Sequence, residues 1–350
     1  MNEFDYFIHL VSCHLNGKKP VGFENINWQK IYNLCERHDV LPLVAHEINL
    51  LNKNFQPDGE IAEKFEAKLN AAFKNYDLKA SAVSSFINVL TSAGVAHLLI
   101  KGAVLQSLYP VPALRASRDT DVILKESDYS RAFELLCENG FETESSAQND
   151  SCLVFDNQRF EIYTELENIN VQSKIYFSTP FDDISQSSGF TYKLMPVYHL
   201  IYIITHIAHH LKEGGVGLKM LTDADVIIRN YPDFEYIKFW QICNNIKIEK
   251  TAKVIFALCK KWFDTPVQVD FSFENNDNSV IYDELAAVIL NSGADEENFG
   301  FINKDENDKP KGKVKKLFEK MFSKNKKQQF VCNSIKDLQA DLLKRMEIDD

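Results

Sequence analysis

Residues 96–166 constrain the fold most, because short apolar runs alternate there with turn signals and helix signals. The short strand His97-Leu98-Leu99-Ile100 is followed by Lys101-Gly102, which predicts a turn into a short helix that ends near Tyr109-Pro110. In chain order the predicted elements are a strand over 97–100, that short helix, a strand over 120–124, a helix from Asp128 to Asn139, and strands over 152–155 and 159–166. This order predicts a compact mixed unit of α and β structure.

Helical patterns flank this unit on both sides. Upstream, Asn27 is placed to cap a helix that starts at Trp28, and a long helix without glycine or proline is predicted over about 61–92. Downstream, helices are predicted over 199–211, 218–229 and 250–263. We therefore expect the α+β class, with a mixed β-sheet core between helical segments. The expected regions are 1–95 (helical), 96–175 (core), 176–290 (helical) and 291–350 (linker, basic segment and last helix).

The charges are unevenly distributed along the chain. The 39 basic and 50 acidic residues give a net charge of −11, yet residues 309–327 hold nine lysines and one acid. The rest of the chain is strongly acidic, which argues against a broad, sequence-independent grip on nucleic acid. The basic segment fits an amphipathic helix that contacts RNA or an anionic surface, and equally a solvated helix packed on the acidic body.

The cysteines and the chain start bear on the compartment. Seven cysteines is an odd number, and none of them form a CxxC pair, which predicts reduced core thiols. The first five residues include Glu3 and Asp5, unlike the basic start of a secretory signal. Polar residues interrupt every apolar run before it reaches the roughly 20 residues that span a bilayer. These features predict a cytoplasmic protein without a membrane span.

Two aspartates are the first candidate site residues. Asp119 and Asp121 stand at positions i and i+2 where a strand begins, so both carboxylates point to the same face of the sheet. Carboxylates this close repel each other unless a cation lies between them. Oxygen ligands of this kind suit Mg²⁺, which takes one or two carboxylates together with substrate phosphates.

The Lys-Gly turn supplies the complementary half of the site. Gly102 lets the backbone approach a ligand, and the amides of Gly102 and Ala103 at the helix start face an anion. Lys101 is placed to pair with a triphosphate, although a lysine at a strand end is as often simply solvated. A metal on the aspartates and a phosphate on these amides is the arrangement that a nucleoside triphosphate needs.

A third carboxylate would complete a site for two metal ions. Glu161 lies between Phe160 and Ile162 on a strand expected beside the aspartates, and Glu165 is the reserve choice on the same face. Two Mg²⁺ ions held by Asp119, Asp121 and Glu161 would clamp the attacking hydroxyl and the leaving pyrophosphate in line.

These residues resemble a known family. The run Lys-Gly-x-x-Leu, Tyr-Pro, Arg-x-x-x-Asp-x-Asp, a strand, and a helix ending in Asn-Gly-Phe is similar to the uncharacterised nucleotidyltransferase family of the DNA polymerase β superfamily. The resemblance is specific over about 97–166 and looser over 5–265. It implies a nucleotidyltransferase fold, with Mg²⁺ on Asp119 and Asp121 and with Glu161 as the third ligand.

The resemblance also bears on residues around this core. Related toxin nucleotidyltransferases carry a similar Arg-x-Ser-x-Asp-x-Asp run, which implies that Arg115 and Ser117 shape the same pocket. Lys219 and Asp223 match a basic residue and an aspartate of relatives, and Lys219 is a candidate phosphate contact; the alternative is an ordinary i, i+4 ion pair. The chain departs from the wider pattern at Ala103, where a serine or glycine is common, and at Tyr163, where relatives often have histidine.

The remaining motif is a set of four histidines. His199, His206, His209 and His210 lie on one predicted helix, and His206 and His210 are one turn apart. A catalytic zinc ion needs a third protein ligand, and the sequence contains no His-Glu-x-x-His motif. We therefore favour a histidine that lines the substrate cleft over a zinc site.

Together these features predict a Mg²⁺-dependent enzyme that moves a nucleoside monophosphate from a nucleoside triphosphate to an acceptor hydroxyl. A small molecule, tRNA and protein all remain possible acceptors. A toxin-like enzyme that modifies tRNA or protein, and a non-catalytic module that binds a nucleotide, are the two alternatives. The sequence does not indicate the base preference, the acceptor or the oligomeric state.

Overall fold

A computed structural model describes residues 1–144, 152–213, 215–267, 285–286, 288–289 and 341–346. Residues 341–345 are helical, in agreement with the end of the predicted last helix. The basic segment 309–327 and the predicted linker lie outside the described residues. Among the described residues, every helix is too short or too polar to span a bilayer.

Besides the helical residues 341–345, eleven α-helices are defined in the described part of the chain. Their bounds are α1 Glu3–Asn16, α2 Trp28–Arg37, α3 Leu41–Asn49, α4 Gly59–Ser92, α5 Gly102–Leu105, α6 Glu126–Glu138, α7 Val171–Tyr176, α8 Pro196–Glu213, α9 Leu218–Asn230, α10 Tyr236–Asn245 and α11 Glu249–Phe263.

The sequence signals explain most of these helices. The Asn27 side chain accepts a hydrogen bond from the Lys30 amide at 3.0 Å, which confirms the predicted cap of α2. The long helix α4 is also confirmed, with a start two residues earlier than predicted. Asp128 is not the cap of α6, because that helix begins at Glu126 and places Asp128 in its first turn. An acid in the first turn still stabilises the positive end of the helix dipole.

Within the described ranges, seven strands form one mixed sheet in the order β3-β4-β5-β2-β1-β7-β6. Their bounds are β1 His97–Leu99, β2 Asp119–Leu124, β3 Glu142–Thr143, β4 Cys152–Phe155, β5 Gln158–Tyr163, β6 Ile184–Ser188 and β7 Thr191–Leu194. The central strand β2 pairs antiparallel with β1 and parallel with β5, and β1 in turn pairs parallel with β7. The predicted α+β class with a mixed sheet core is therefore confirmed.

The strands that sequence analysis found are the apolar ones. Asp156 and Asn157 both have positive φ, +50° and +60°, as the two-residue turn between β4 and β5 requires. The hairpin of β6 and β7 was missed, because β6 is largely polar and exposed. Strand β5 also ends at Tyr163, three residues earlier than predicted, so Glu165 lies beyond it and is exposed.

The sheet is covered on both faces. On one face, α4 and α6 pack on β2 and β5, and the rings of Phe86 and Phe160 stack with their centroids 4.8 Å apart. On the other face, Leu98 and Ile123 join a larger core with α8, α9 and α11. Because strand side chains alternate between faces, Asp119, Asp121 and Glu161 point to the α8 side.

Candidate active site

The register of β2 and β5 brings three carboxylates together. Asp121 lies directly opposite Glu161 in the parallel ladder, and Asp119 precedes Asp121 by two residues on the same face. Adjacent strands are about 4.8 Å apart, so these side chains share one small region. Asp121 is nearly buried, at 3% exposed. The proximity that the sequence predicted is therefore present, although the catalytic roles of these residues stay predictions.

Each of the two facing carboxylates is held by a cation. Lys101 Nζ lies 3.0 Å from Asp121 Oδ1, and Arg159 Nη2 lies 3.1 Å from Glu161 Oε1. The hydroxyl of Tyr163 donates to the other oxygen of Glu161. Burial disfavours the charged form of Lys101, but its neighbours Tyr202 and Asp121 hold the pKa of Lys101 well above its usual value.

The Lys-Gly turn is tightly constrained. Lys101 has φ +46°, a conformation that costs a non-glycine residue about 1–3 kcal/mol and that clusters at functional sites. A Cβ atom on Gly102 would lie 2.5 Å from Ser117 Oγ and 2.6 Å from Arg115 Nη1. Position 102 therefore favours glycine, because the Ser117 and Arg115 side chains approach it closely. Ala103 follows in the first turn of α5, where backbone amides do not take part in intrahelical hydrogen bonds.

Ser117 and a lysine that sequence analysis missed fix the start of β2. Ser117 Oγ donates to the backbone carbonyl of Asp119 at 3.0 Å. Lys79 Nζ, from α4, donates to Ser117 Oγ at 2.7 Å and to the same carbonyl of Asp119. Burial lowers the pKa of Lys79 to about 8, although the charge of Asp119 opposes this shift. The sequence did contain a sign that Lys79 is buried, because Lys79 shares the apolar face of α4 with Ala82 and Phe86.

Arg115 is bound to α9 rather than exposed to a pocket. Its Nε and Nη2 atoms lie 2.8 and 2.7 Å from the two carboxylate oxygens of Asp223, in a bidentate pair. The hydroxyl of Tyr109 donates to the same carboxylate at 2.7 Å. Arg115 is 8% exposed. Its observed contacts join the loop before β2 to α9.

Lys219 forms an ion pair with α2–α3 loop residue Asp39, not with the aspartate one turn away on its own helix. The i, i+4 pair of Lys219 with Asp223 does not form, because Asp223 binds Arg115. Lys219 Nζ instead donates to Asp39, whose carboxylate also lies 3.7 Å from Arg118 Nη2. The role of Lys219 as a phosphate contact stays a prediction.

Three of the four histidines on α8 gather around an acid that the sequence did not single out. His206 Nδ1 lies 2.5 Å from one oxygen of Glu167, and His209 Nε2 lies 3.2 Å from the other. The rings of His206 and His210 are perpendicular with centroids 4.5 Å apart. Although burial favours the neutral acid, His206 lowers the pKa of Glu167 to about 2.

This cluster is connected to the carboxylates of the sheet through Lys101. Lys101 pairs with Asp121 and also donates to the hydroxyl of Tyr202, which lies one turn before His206 on α8. The charge of Glu167 also raises the pKa of Lys101. The candidate site therefore extends from β2 and β5 to α8.

One comparison with known proteins gave a match. The family model described as "uncharacterised nucleotidyltransferase" matches residues 24–264, which is 241 of the 350 residues. The matched span contains the whole described sheet and every candidate site residue. No curated protein and no solved structure shows a significant match to the chain.

Proposed function

Because the chain belongs to the uncharacterised nucleotidyltransferase family, we propose that it is a cytoplasmic Mg²⁺-dependent enzyme. It transfers a nucleoside monophosphate from a nucleoside triphosphate to an acceptor hydroxyl. The observation that carries the proposal is the pairing of Asp121 opposite Glu161, with Asp119 on the same face. The six cysteines of the described residues are all unpaired, which supports a reducing compartment.

The donor set fits magnesium. Asp119 and Asp121 offer hard carboxylate oxygens, and the nearest cation on Asp121 contacts Oδ1 alone. Both oxygens of Glu161 have partners, so Glu161 becomes a third ligand when the half-exposed side chain of Arg159 moves away. When bound, Mg²⁺ neutralises phosphate charge and stabilises the oxygen of the leaving pyrophosphate.

The other residues bind and orient the triphosphate. The amides of Gly102 and Ala103 face the phosphates, and Lys101 moves between Asp121 and a phosphate oxygen. Ser117 and Lys79 hold the start of β2 in place, and Arg115 holds the preceding loop through Asp223. Lys219 contacts a phosphate at the edge of the site.

The acceptor hydroxyl approaches from the side of Glu161, which accepts its proton. The helices of residues 1–95 and the helices from α8 to α11 flank the sheet and build the acceptor cleft. A small molecule, tRNA and protein are the acceptor classes to separate.

The test is release of pyrophosphate from each of the four ribonucleoside triphosphates with Mg²⁺, with cell extract as the source of acceptors. Asp119→Ala/Asp121→Ala is the inactive variant, and Asp77→Ala/Asp182→Ala removes two exposed aspartates as the matched control. We expect release to fall by at least about 10³-fold in the first variant only, since several kcal/mol of charge stabilisation are lost and about 1.4 kcal/mol is tenfold in rate.

The label transferred from the active triphosphate then identifies the acceptor class. Nucleotide binding without metal-dependent release of pyrophosphate from any triphosphate would overturn the proposal and favour the non-catalytic module.

A further inference from the structure

A second group of metal-ligating side chains lies in the N-terminal helices. His14 is near the end of α1, and His46 and Glu47 are neighbours on α3. One ligand atom from each lies within 4.8 Å of the other two, and among the described residues this is the single such group of three. His14 Nδ1 lies 2.9 Å and His46 Nδ1 3.0 Å from the same oxygen, Glu47 Oε1.

The carboxylate of Glu47 is buried, so its negative charge must be neutralised by a neighbouring cation. Glu47 is 2% and His14 3% exposed, and a buried carboxylate is costly unless a cation neutralises it. Within the described residues, neither Glu47 Oε2 nor His14 Nε2 has a hydrogen-bond partner. Buried polar atoms normally have one, so hydrogen bonds from two imidazoles leave this site incompletely satisfied.

We propose that His14, His46 and Glu47 bind a divalent transition-metal ion, and that Zn²⁺ is the ion of best fit. Two imidazole nitrogens and one carboxylate oxygen are a ligand set that suits zinc and leaves a fourth position for water. The side chain of His46 is 29% exposed, which gives that position access to solvent. The unpartnered Glu47 Oε2 provides a further oxygen for the ion.

The geometry needs only a small adjustment. Ligands at about 2.0–2.1 Å from a tetrahedral zinc ion are separated by roughly 3.3 Å. The two nitrogen–oxygen distances of 2.9 and 3.0 Å must therefore widen by a few tenths of an ångström. The ion takes the place of the proton on each Nδ1 atom, and each ring then carries its proton on Nε2, so both imidazoles stay neutral.

This site differs in kind from the carboxylates on β2 and β5. Nitrogen ligands select zinc over magnesium, whereas an all-oxygen set does the reverse. The ion would link α1 to α3, and it does not depend on the function proposed for the sheet site.

The test measures metal binding by the full chain without an affinity tag of histidines. Protein stripped with a chelator is titrated with Co²⁺ in excess Mg²⁺, which occupies all-oxygen sites. We expect one Co²⁺ per chain, with the strong visible bands of four-coordinate cobalt, and displacement by one equivalent of Zn²⁺. The melting temperature should rise with Zn²⁺ concentration.

Two variants test the ligands, and a third is the matched control. In His46→Ala and Glu47→Gln the Co²⁺ affinity should fall by at least roughly 100-fold, since even a residue behind a ligand is worth about 10–100-fold. His206→Ala/His209→Ala removes two histidines that also contact a glutamate, and it should bind Co²⁺ like the wild type.

Three outcomes would overturn the proposal. They are no stoichiometric Co²⁺ binding by the wild type, unchanged binding in His46→Ala, and loss of binding in the α8 control alone. The wild-type titration decides the matter even if Glu47→Gln does not fold, which circular dichroism would reveal. The first outcome would leave His14 and Glu47 as an ordinary buried ion pair.

Discussion

The carboxylates on β2 and β5 and the carboxylate of Asp223 differ in how fully the protein satisfies their hydrogen-bonding capacity. Asp223 receives two hydrogen bonds from Arg115 and one from Tyr109, all between buried groups. Asp121 and Glu161, by contrast, are held by Lys101 and Arg159, whose side chains remain 19% and 43% exposed.

This difference separates a structural centre from the proposed binding centre. A buried bidentate ion pair with all its oxygens bonded has no capacity for a further ligand. Carboxylates that are held by long, partly exposed side chains can exchange those partners for a metal ion or a phosphate. The same types of residue therefore anchor a loop in one centre and can bind a ligand in the other.

The largest expected effect is on stability, from Arg115→Met. The substitution leaves the buried carboxylate of Asp223 without its cation, so the free energy of unfolding should fall by about 3–5 kcal/mol. Urea unfolding monitored by circular dichroism gives this value.

The double variant Arg115→Met/Asp223→Leu is the control for that prediction. It removes both charges, and Tyr109 keeps Thr222 as a hydrogen-bond partner, so most of the stability should return. A loss below about 1 kcal/mol in Arg115→Met would mean that this pair is not a structural centre.

The next effect comes from Gly102→Ala, which acts on both centres at once. The added Cβ would meet both Ser117 Oγ and Arg115 Nη1. Overpacking of this kind should lower the free energy of unfolding by about 1–3 kcal/mol. Differential scanning calorimetry measures the change.

The same substitution made in a Ser117→Ala variant tests the cause of this loss of stability. In Ser117→Ala the nearer overlap is removed, so Gly102→Ala should cost less there than in the wild type. Equal costs in both backgrounds would contradict the close approach of the loop to α5.

The features that the sequence predicted are local ones. Strand periodicity placed Asp119 and Asp121 on one face, and the apolar neighbours of Glu161 placed it on an adjacent strand. The Lys-Gly pair likewise predicted the turn between β1 and the short helix that starts at Gly102. Each of these inferences depends on a few consecutive residues, which is why the sequence sufficed.

The features that it missed depend on tertiary contacts. Lys79 reaches Asp119 from a helix 40 residues earlier, and Glu167 meets His206 across a separation of 39 residues. Asp223 has a basic neighbour one turn away, yet it binds Arg115, which is 108 residues away in sequence. A sequence pattern cannot show which of several charged residues will form an ion pair, because the fold determines which charges are buried next to each other.

The smallest effect concerns pH and separates the two centres by titration. Burial, with the neighbouring His206 charge, lowers the pKa of His210 to about 3, although Glu167 opposes the shift. A histidine in the unfolded chain has a pKa of about 6.5. Between about pH 6.5 and 3, the unfolded chain therefore binds a proton at His210, whereas the folded chain does not. Stability should therefore fall as the pH drops from about 6.5 towards 3, by about 1–2 kcal/mol between pH 7 and 5 for this one group.

His210→Gln removes that proton uptake, so its urea midpoint should depend less on pH between 7 and 5 than the wild-type midpoint does. Arg115→Met/Asp223→Leu should keep the wild-type pH dependence. Burial lowers the pKa of Arg115, but the charge of Asp223 outweighs burial and raises that pKa, so Arg115 does not titrate between pH 7 and 5. Equal pH dependence in His210→Gln and the wild type would show that the histidine is solvated and protonates freely in the folded protein. The α8 cluster would then be an exposed surface beside Lys101, and the binding centre would be confined to β2 and β5.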